Sequence, residues 1–280
     1  MTAEACSFAE DRIIIMAAPN GARRSQADHP ALPMTAAELA DNAVALRDAG
    51  VSVLHLHVRD DNRRHTLDPA TYRTAIAAIR ESVGDDLVLQ VTTEAVGLYT
   101  SGEQMAVVRA LQPEAVSIAL REICPTRAAE PAAAKFFAWL RKKGIWPQVI
   151  LYSIADVRRF DALRQSGVFA DASPFVLFVL GNYADAVAGR VADLERMLAA
   201  ATPEAWPWAV CCFGAEEHAV MCAALATGGH VRIGFENNLL LSDGTTAPDN
   251  AALIRQFVAV ADKGRRRPAS AAEIRQWQGL

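Results

Sequence analysis

Residues 51–60 read VSVLHLHVRD. Val51, Val53, Leu54, Leu56 and Val58 supply the β-branched and aliphatic residues of a buried strand. Side chains alternate along a strand, so His55 and His57 share one face. Arg59 joins that face unless the strand ends before it, and Asp60 follows in a loop. Two imidazoles aimed the same way make a compact bidentate metal site, since neutral imidazole is a common zinc ligand. The same pair also fits a buried, hydrogen-bonded core. Its setting favours ligation: it ends the second strand of a strand–helix series, and α/β folds keep their active sites at strand C-termini.

The series extends in both directions. Upstream, residues 12–18 (RIIIMAA) form a first strand, broken by Pro19, Asn20 and Gly21. Thr35 with Glu38 makes a capping-box pattern for a helix over 36–49 that stops at Gly50. Downstream, strands are expected at 86–92, 115–118, 148–152, 175–180, 208–213 and 230–233. Helices are expected at 69–82, 101–111, 130–144, 155–166, 184–201, 215–226 and 247–262. Eight strand–helix units predict an α/β fold, a closed (β/α)8 TIM barrel. It is read as a single domain over 1–280 with short N- and C-terminal extensions. A doubly wound open sheet would carry a glycine-rich phosphate loop after an early strand, and none is present.

The chain has 280 residues, 52% of them hydrophobic, enough for a large core, and a net charge of −4. No basic face appears, so nucleic acid is not an expected partner. The run KGRRR at 263–267 reads as a solvated helix end. With Glu4, Glu10 and Asp11 the first residues lack a signal-peptide pattern, and no apolar run has the length of a membrane span. Five cysteines without paired spacing (Cys6, Cys124, Cys211, Cys212 and Cys222) read as reduced thiols of a cytoplasmic protein.

A catalytic zinc commonly takes three protein ligands. Strand eight and its loop, VRIGFENN at 231–238, offer Glu236 after a Gly-Phe turn, although its spacing also fits a surface acid. HLHVRD, then TGGHVRIGFENN at 227–238, resembles the β-keto acid cleavage enzymes, the 3-keto-5-aminohexanoate cleavage proteins. The early AAPNGA, HPALP, FVLG and WAV segments extend that resemblance over nearly the whole chain.

The resemblance implies a homo-oligomeric zinc barrel, a dimer or tetramer. It implies condensation of a small β-keto acid with acetyl-CoA to give acetoacetate and a new acyl-CoA. By motif position His55, His57 and Glu236 hold the Zn2+, with another divalent transition metal as the alternative. Arg232 matches the catalytic arginine, and Thr92 stands where the family keeps a small hydroxyl residue near substrate. Ser117, at the C-terminal end of strand four, joins Thr92 as a substrate-binding candidate.

This chain departs from the family in four places. Asn237 replaces the acid that follows the ligand glutamate and cannot serve as a base. Glu94, then Glu122, are the replacement candidates for proton transfer; otherwise Asn237 orients a water. Arg23 and Ile150 replace acids found in members acting on amino-bearing substrates, which points to a neutral or anionic substrate tail with Arg23 as its partner. The glycine-rich loop after strand six reads Gly181, Asn182, Tyr183, Ala184. Gly-x-Gly-Arg after strand seven reads Cys212, Phe213, Gly214, Ala215. Two alternatives stand beside the CoA-linked reading: a zinc lyase or hydrolase that needs no CoA, and a non-catalytic barrel that binds metal and a carboxylate.

Overall fold

The computed structural model describes residues 8–169, 175–183, 187–201 and 206–280. Eight parallel strands close on themselves. They are β1 (Ile15–Ala17), β2 (Val53–Leu56), β3 (Val88–Thr92), β4 (Ala115–Ala119), β5 (Trp146–Leu151), β6 (Phe175–Asn182), β7 (Trp208–Cys212) and β8 (His230–Ile233). Each pairs with the next, and β8 pairs with β1. The helices between them are α1 (Ala36–Asp48), α2 (Pro69–Val83), α3 (Ser101–Leu111), α4 (Glu130–Lys142), α5 (Ile154–Gln165), α6 (Val191–Ala200), α7 (Glu217–Ala226) and α8 (Asn250–Lys263). The expected (β/α)8 barrel is the observed one. A further helix, α9 (Ala271–Gln278), carries Trp277, which packs beside Trp146 and Phe175. Among the described residues no helix is long and apolar enough to cross a membrane.

The local signals work as their chemistry predicts. Thr35 and Glu38 form the capping box of α1, and Asp68 caps α2 ahead of Pro69. Three readings need correction. Arg12–Ile13 does not continue into β1 but pairs with Arg267–Pro268. Arg266 in the basic run is only partly solvated: it donates to the carbonyls of Gly229 and Arg12, while Lys263, Arg265 and Arg267 are exposed. The helix after β6 starts at Val191, because Val187–Ala188 turns back to pair antiparallel with Gly181–Asn182. Gly189 lets that hairpin close, since a Cβ there would meet Leu180 Cβ at 2.6 Å and Cys212 Sγ at 2.7 Å. Ala184, Asp185 and Ala186 of the expected helix, like Cys6, lie outside the described residues.

The strand registers sort the interior into layers of four side chains drawn from alternate strands. Met16, Gln90, Gln148 and Ala209 form one layer. Gln148 Nε2 reaches Met16 Sδ across the barrel at 3.2 Å. His55, Ser117, Leu177 and Arg232 lie in the next layer, towards the C-terminal mouth. Ala18, Thr92, Ile150 and Cys211 follow, then His57, Ala119, Val179 and Gly234. The polar layers thus begin halfway up an otherwise apolar barrel and open at its mouth.

Candidate metal centre and active site

β2 ends at Leu56, one residue after His55, and Val58–Arg59 forms a separate hairpin with His65–Thr66. His57 therefore leaves the strand but keeps its inward direction. The two Nε2 atoms lie 3.0 Å apart. Glu236 Oε2 lies 3.7 Å from that of His55 and 3.6 Å from that of His57. Donor atoms of a tetrahedral ion with bonds near 2.0–2.2 Å stand roughly 3.3–3.6 Å apart. The three donors fit a metal ion, and among the described residues Glu236 Oε2 is buried without a hydrogen-bond partner. Burial first, then the charge of Arg232 on His55 and of His55 on His57, pulls both imidazoles well below their ordinary range. The rings are neutral, so their approach to Glu236 is not an ion pair, and their lone pairs suit a cation.

Surrounding groups aim these donors. His55 Nδ1 bonds Gln90 Oε1 at 2.9 Å, which places the ring proton on Nδ1 and leaves Nε2 as the donor to metal. Gln90→Leu should weaken metal binding by about 10- to 100-fold, read by competition with a chromophoric chelator. Gly21 has φ +63°, and a Cβ there would meet Glu236 Cγ at 2.5 Å, so the carboxylate packs where any side chain would displace it. Asn250 accepts from Phe235 N at 2.8 Å and donates to Pro19 O at 3.0 Å, tying the loop after β8 to the loop after β1. Arg59 is turned away from the histidine face and donates to the carbonyls of Gly21, Ala22 and Arg24.

Glu217, at the start of α7, braces the same turn. It accepts from Gly234 N at 3.3 Å and Asn238 Nδ2 at 3.2 Å. Burial pushes its carboxyl up to about 8 against the pull of those donors. The folded protein therefore holds this proton more tightly than the unfolded chain does. Its contribution to stability is complete below the ordinary carboxylate range and is lost as pH rises through about 8. Glu217→Gln should flatten the fall in melting temperature between about pH 5 and pH 8, where each kcal/mol is worth roughly 2–4 °C. The slope with pH in scanning calorimetry is the readout.

A cavity of about 190 Å³ opens above the histidines and reaches Arg232, Glu236, Thr92, Glu94, Ser117 and Arg23. Arg232 is 3% exposed and donates to Glu236 Oε1 at 3.1 Å and Cys211 Sγ at 3.3 Å, while its Nε has no partner among the described residues. Burial opposes its charge, but Cys211 and Glu236 outweigh burial, so the guanidinium stays protonated. The Ser117 hydroxyl is buried and has no partner among the described residues, and Thr92 Oγ1 accepts from Glu94 N at 3.0 Å.

Geometry separates the two candidate acids. Glu122 is occupied, accepting from Ala95 N at 3.1 Å and Gln104 Nε2 at 2.7 Å. The Glu94 carboxylate has no hydrogen bond among the described residues, and its Oε2 lies 3.8 Å from His57 Nδ1. Burial, then repulsion from Glu236 and Glu122, raises Glu94 to about 7. The Asn237 side chain is not brought to the cavity. It is fully buried, neither of its polar atoms has a partner among the described residues, and its carbonyl accepts from Gly214 N. Consecutive side chains on this turn diverge: Glu236 lines the cavity and Asn237 does not. Sequence reading missed Gln90, Asn250 and Glu217, which bear on the site only through folded contacts.

Three comparisons bear on the site. The chain is 30% identical to the 3-keto-5-aminohexanoate cleavage enzyme of Fusobacterium nucleatum over 273 residues, 95% of this chain and 97% of the relative. It is 28% identical to the 3-oxoadipate:acetyl-CoA acetyltransferase of Cupriavidus necator, covering 95% and 94%. The solved apo structure of ObcA shares the barrel, with a TM-score of 0.71 at 16% identity, covering 90% of this chain and 66% of that one. That likeness concerns the fold alone. Residues 12–280, which contain every donor and cavity group described above, match the family of the beta-keto acid cleavage enzyme, and the chain belongs to that family.

Proposed function

We propose that this enzyme exchanges acyl groups between a β-keto acid and acetyl-CoA with zinc bound at His55, His57 and Glu236. The C2–C3 bond of the keto acid breaks. Its acyl carbon passes to the CoA sulfur, and its carboxymethyl unit joins the acetyl group to leave acetoacetate. The observation that carries this reading is the union, at the base of one cavity, of three candidate metal donors with a buried arginine whose Nε has no partner among the described residues. Bound zinc supplies Lewis acidity toward the keto and carboxylate oxygens of the substrate.

The chain's own residues do the rest. Arg232 holds substrate carboxylate or oxyanion charge with a group that does not titrate at working pH. Glu94, the carboxylate beside His57 with no hydrogen bond among the described residues, takes a proton from C2 for attack on the acetyl group and returns it to the acetoacetate carbanion released when the C2–C3 bond breaks. Thr92 and Ser117 offer hydroxyl donors to the substrate, and Arg23 draws an anionic tail. A second reading without CoA rests on the loop after β7, which reads Cys212, Phe213, Gly214, Ala215 where the resemblance leads one to expect Gly-x-Gly-Arg.

The test is zinc-loaded protein with a panel of β-keto acids, each with and without acetyl-CoA, followed by mass spectrometry of acetoacetate and acyl-CoA. Product formed only with acetyl-CoA is the expected result. Turnover without it transfers the case to a CoA-independent lyase. Bound metal without turnover leaves a binding protein.

A further inference from the structure

The cavity is polar on the side of β2 and β8 and apolar opposite, where Ala119, Ile150 and Val179 form the wall. Arg121 stands at the rim above that wall. Its guanidinium carbon lies 3.8 Å from the centroid of the Tyr152 ring. Its Nη2 donates to Asp156 Oδ2 at 3.1 Å, and the same oxygen accepts the Tyr152 N–H at 2.9 Å. Arginine, ring and carboxylate are one pre-arranged unit, so binding would cost the long side chain little further freedom. Among the described residues Asp156 takes one of its five N–H groups, which leaves donors for a ligand.

Asp156 pairs with the guanidinium through a single oxygen, and the other nearby acids are engaged elsewhere. Glu122 is bound by Ala95 N and Gln104, Glu236 faces the histidines, and Glu94 stands beside His57. Across the rim, Arg23 has no hydrogen-bond or ion-pair partner among the described residues. A substrate lying with its keto acid end at Arg232 would run over a short apolar wall and finish against a guanidinium.

We propose that Arg121, laid on the Tyr152 ring, is a specificity-determining residue that holds a second carboxylate, making the substrate a short β-keto dicarboxylate. This rests on reading the cavity as a β-keto acid site. The probes are 3-oxoadipate and 3-oxohexanoate, which have six carbons each and differ at the far end. Zinc-loaded enzyme with acetyl-CoA should prefer the dicarboxylate by about 10- to 100-fold in kcat/KM, chiefly through KM. In Arg121→Leu that ratio should collapse toward one, and Arg121→Lys should restore part of it. Arg23→Leu, assayed alongside, measures the share of the opposite rim. Calorimetric binding of both acids without acetyl-CoA gives a second readout. If nothing turns over but the binding preference exists and is lost in Arg121→Leu, the clamp stands and the transfer reaction falls. Preference for 3-oxohexanoate, or a dicarboxylate preference untouched in Arg121→Leu, overturns the proposal.

Discussion

His57→Ala should yield a folded barrel that holds metal only substoichiometrically and has lost turnover by about 10³-fold or more, the equivalent of the several kcal/mol that Lewis-acid charge stabilisation supplies. The substitution removes one of three donors and leaves His55 and Glu236, which are too few to fix an ion against water. His57 lies at the end of its strand, and nothing in the lower barrel depends on its ring. Far-UV circular dichroism should therefore be unchanged while elemental analysis shows well under one ion per chain. A variant that kept one tightly held ion per chain and the wild-type rate would remove His57 from the metal centre.

Arg232→Ala is expected to act twice. Loss of a fixed donor aimed at developing negative charge should lower kcat/KM by about 10²–10³-fold. Loss of the partner of a buried carboxylate should also destabilise the fold by about 3–5 kcal/mol, because Glu236 keeps its burial without its cation. The two effects separate under zinc loading: a bound cation compensates Glu236 and restores melting temperature, but it cannot restore the guanidinium's contact with substrate. Arg232→Lys should recover stability better than rate, since a point charge replaces a planar fork that spans Cys211 and Glu236. Equal recovery of both would reduce Arg232 to a structural counter-ion.

Much of this was legible in the sequence because the relevant signals are local. The alternation of strand and helix, the Thr35–Glu38 box and the His-x-His spacing depend on neighbours within a few residues. The donor set was legible through its motifs. Other features depend on what meets across the fold. Val187–Ala188 scores as helix by composition but closes a hairpin because Gly189 fits between Leu180 and Cys212. Nothing around Asn250 in the chain shows that it will join the first and last loops of the barrel. The sequence ranks Glu94 ahead of Glu122, but that Glu122 is held by Ala95 N and Gln104 depends on hydrogen bonds that only the folded loops make. Asn237 was a candidate by adjacency to Glu236, and adjacency on a turn separates side chains.

The glutamine layer beneath the histidines carries a consequence for evolution of this barrel. Gln90 Nε2 and Gln148 Oε1 are buried without partners among the described residues, in a stratum whose other members are Met16 and Ala209. Such groups carry the cost of desolvation without a compensating bond. Selection for heat resistance alone would drift toward leucine or methionine at both positions. At Gln148 that drift should be free of penalty to catalysis, whereas at Gln90 it would release the His55 ring. The two glutamines, equivalent by layer, should therefore diverge under thermal selection, and a hardened enzyme would be recognised by the one it kept.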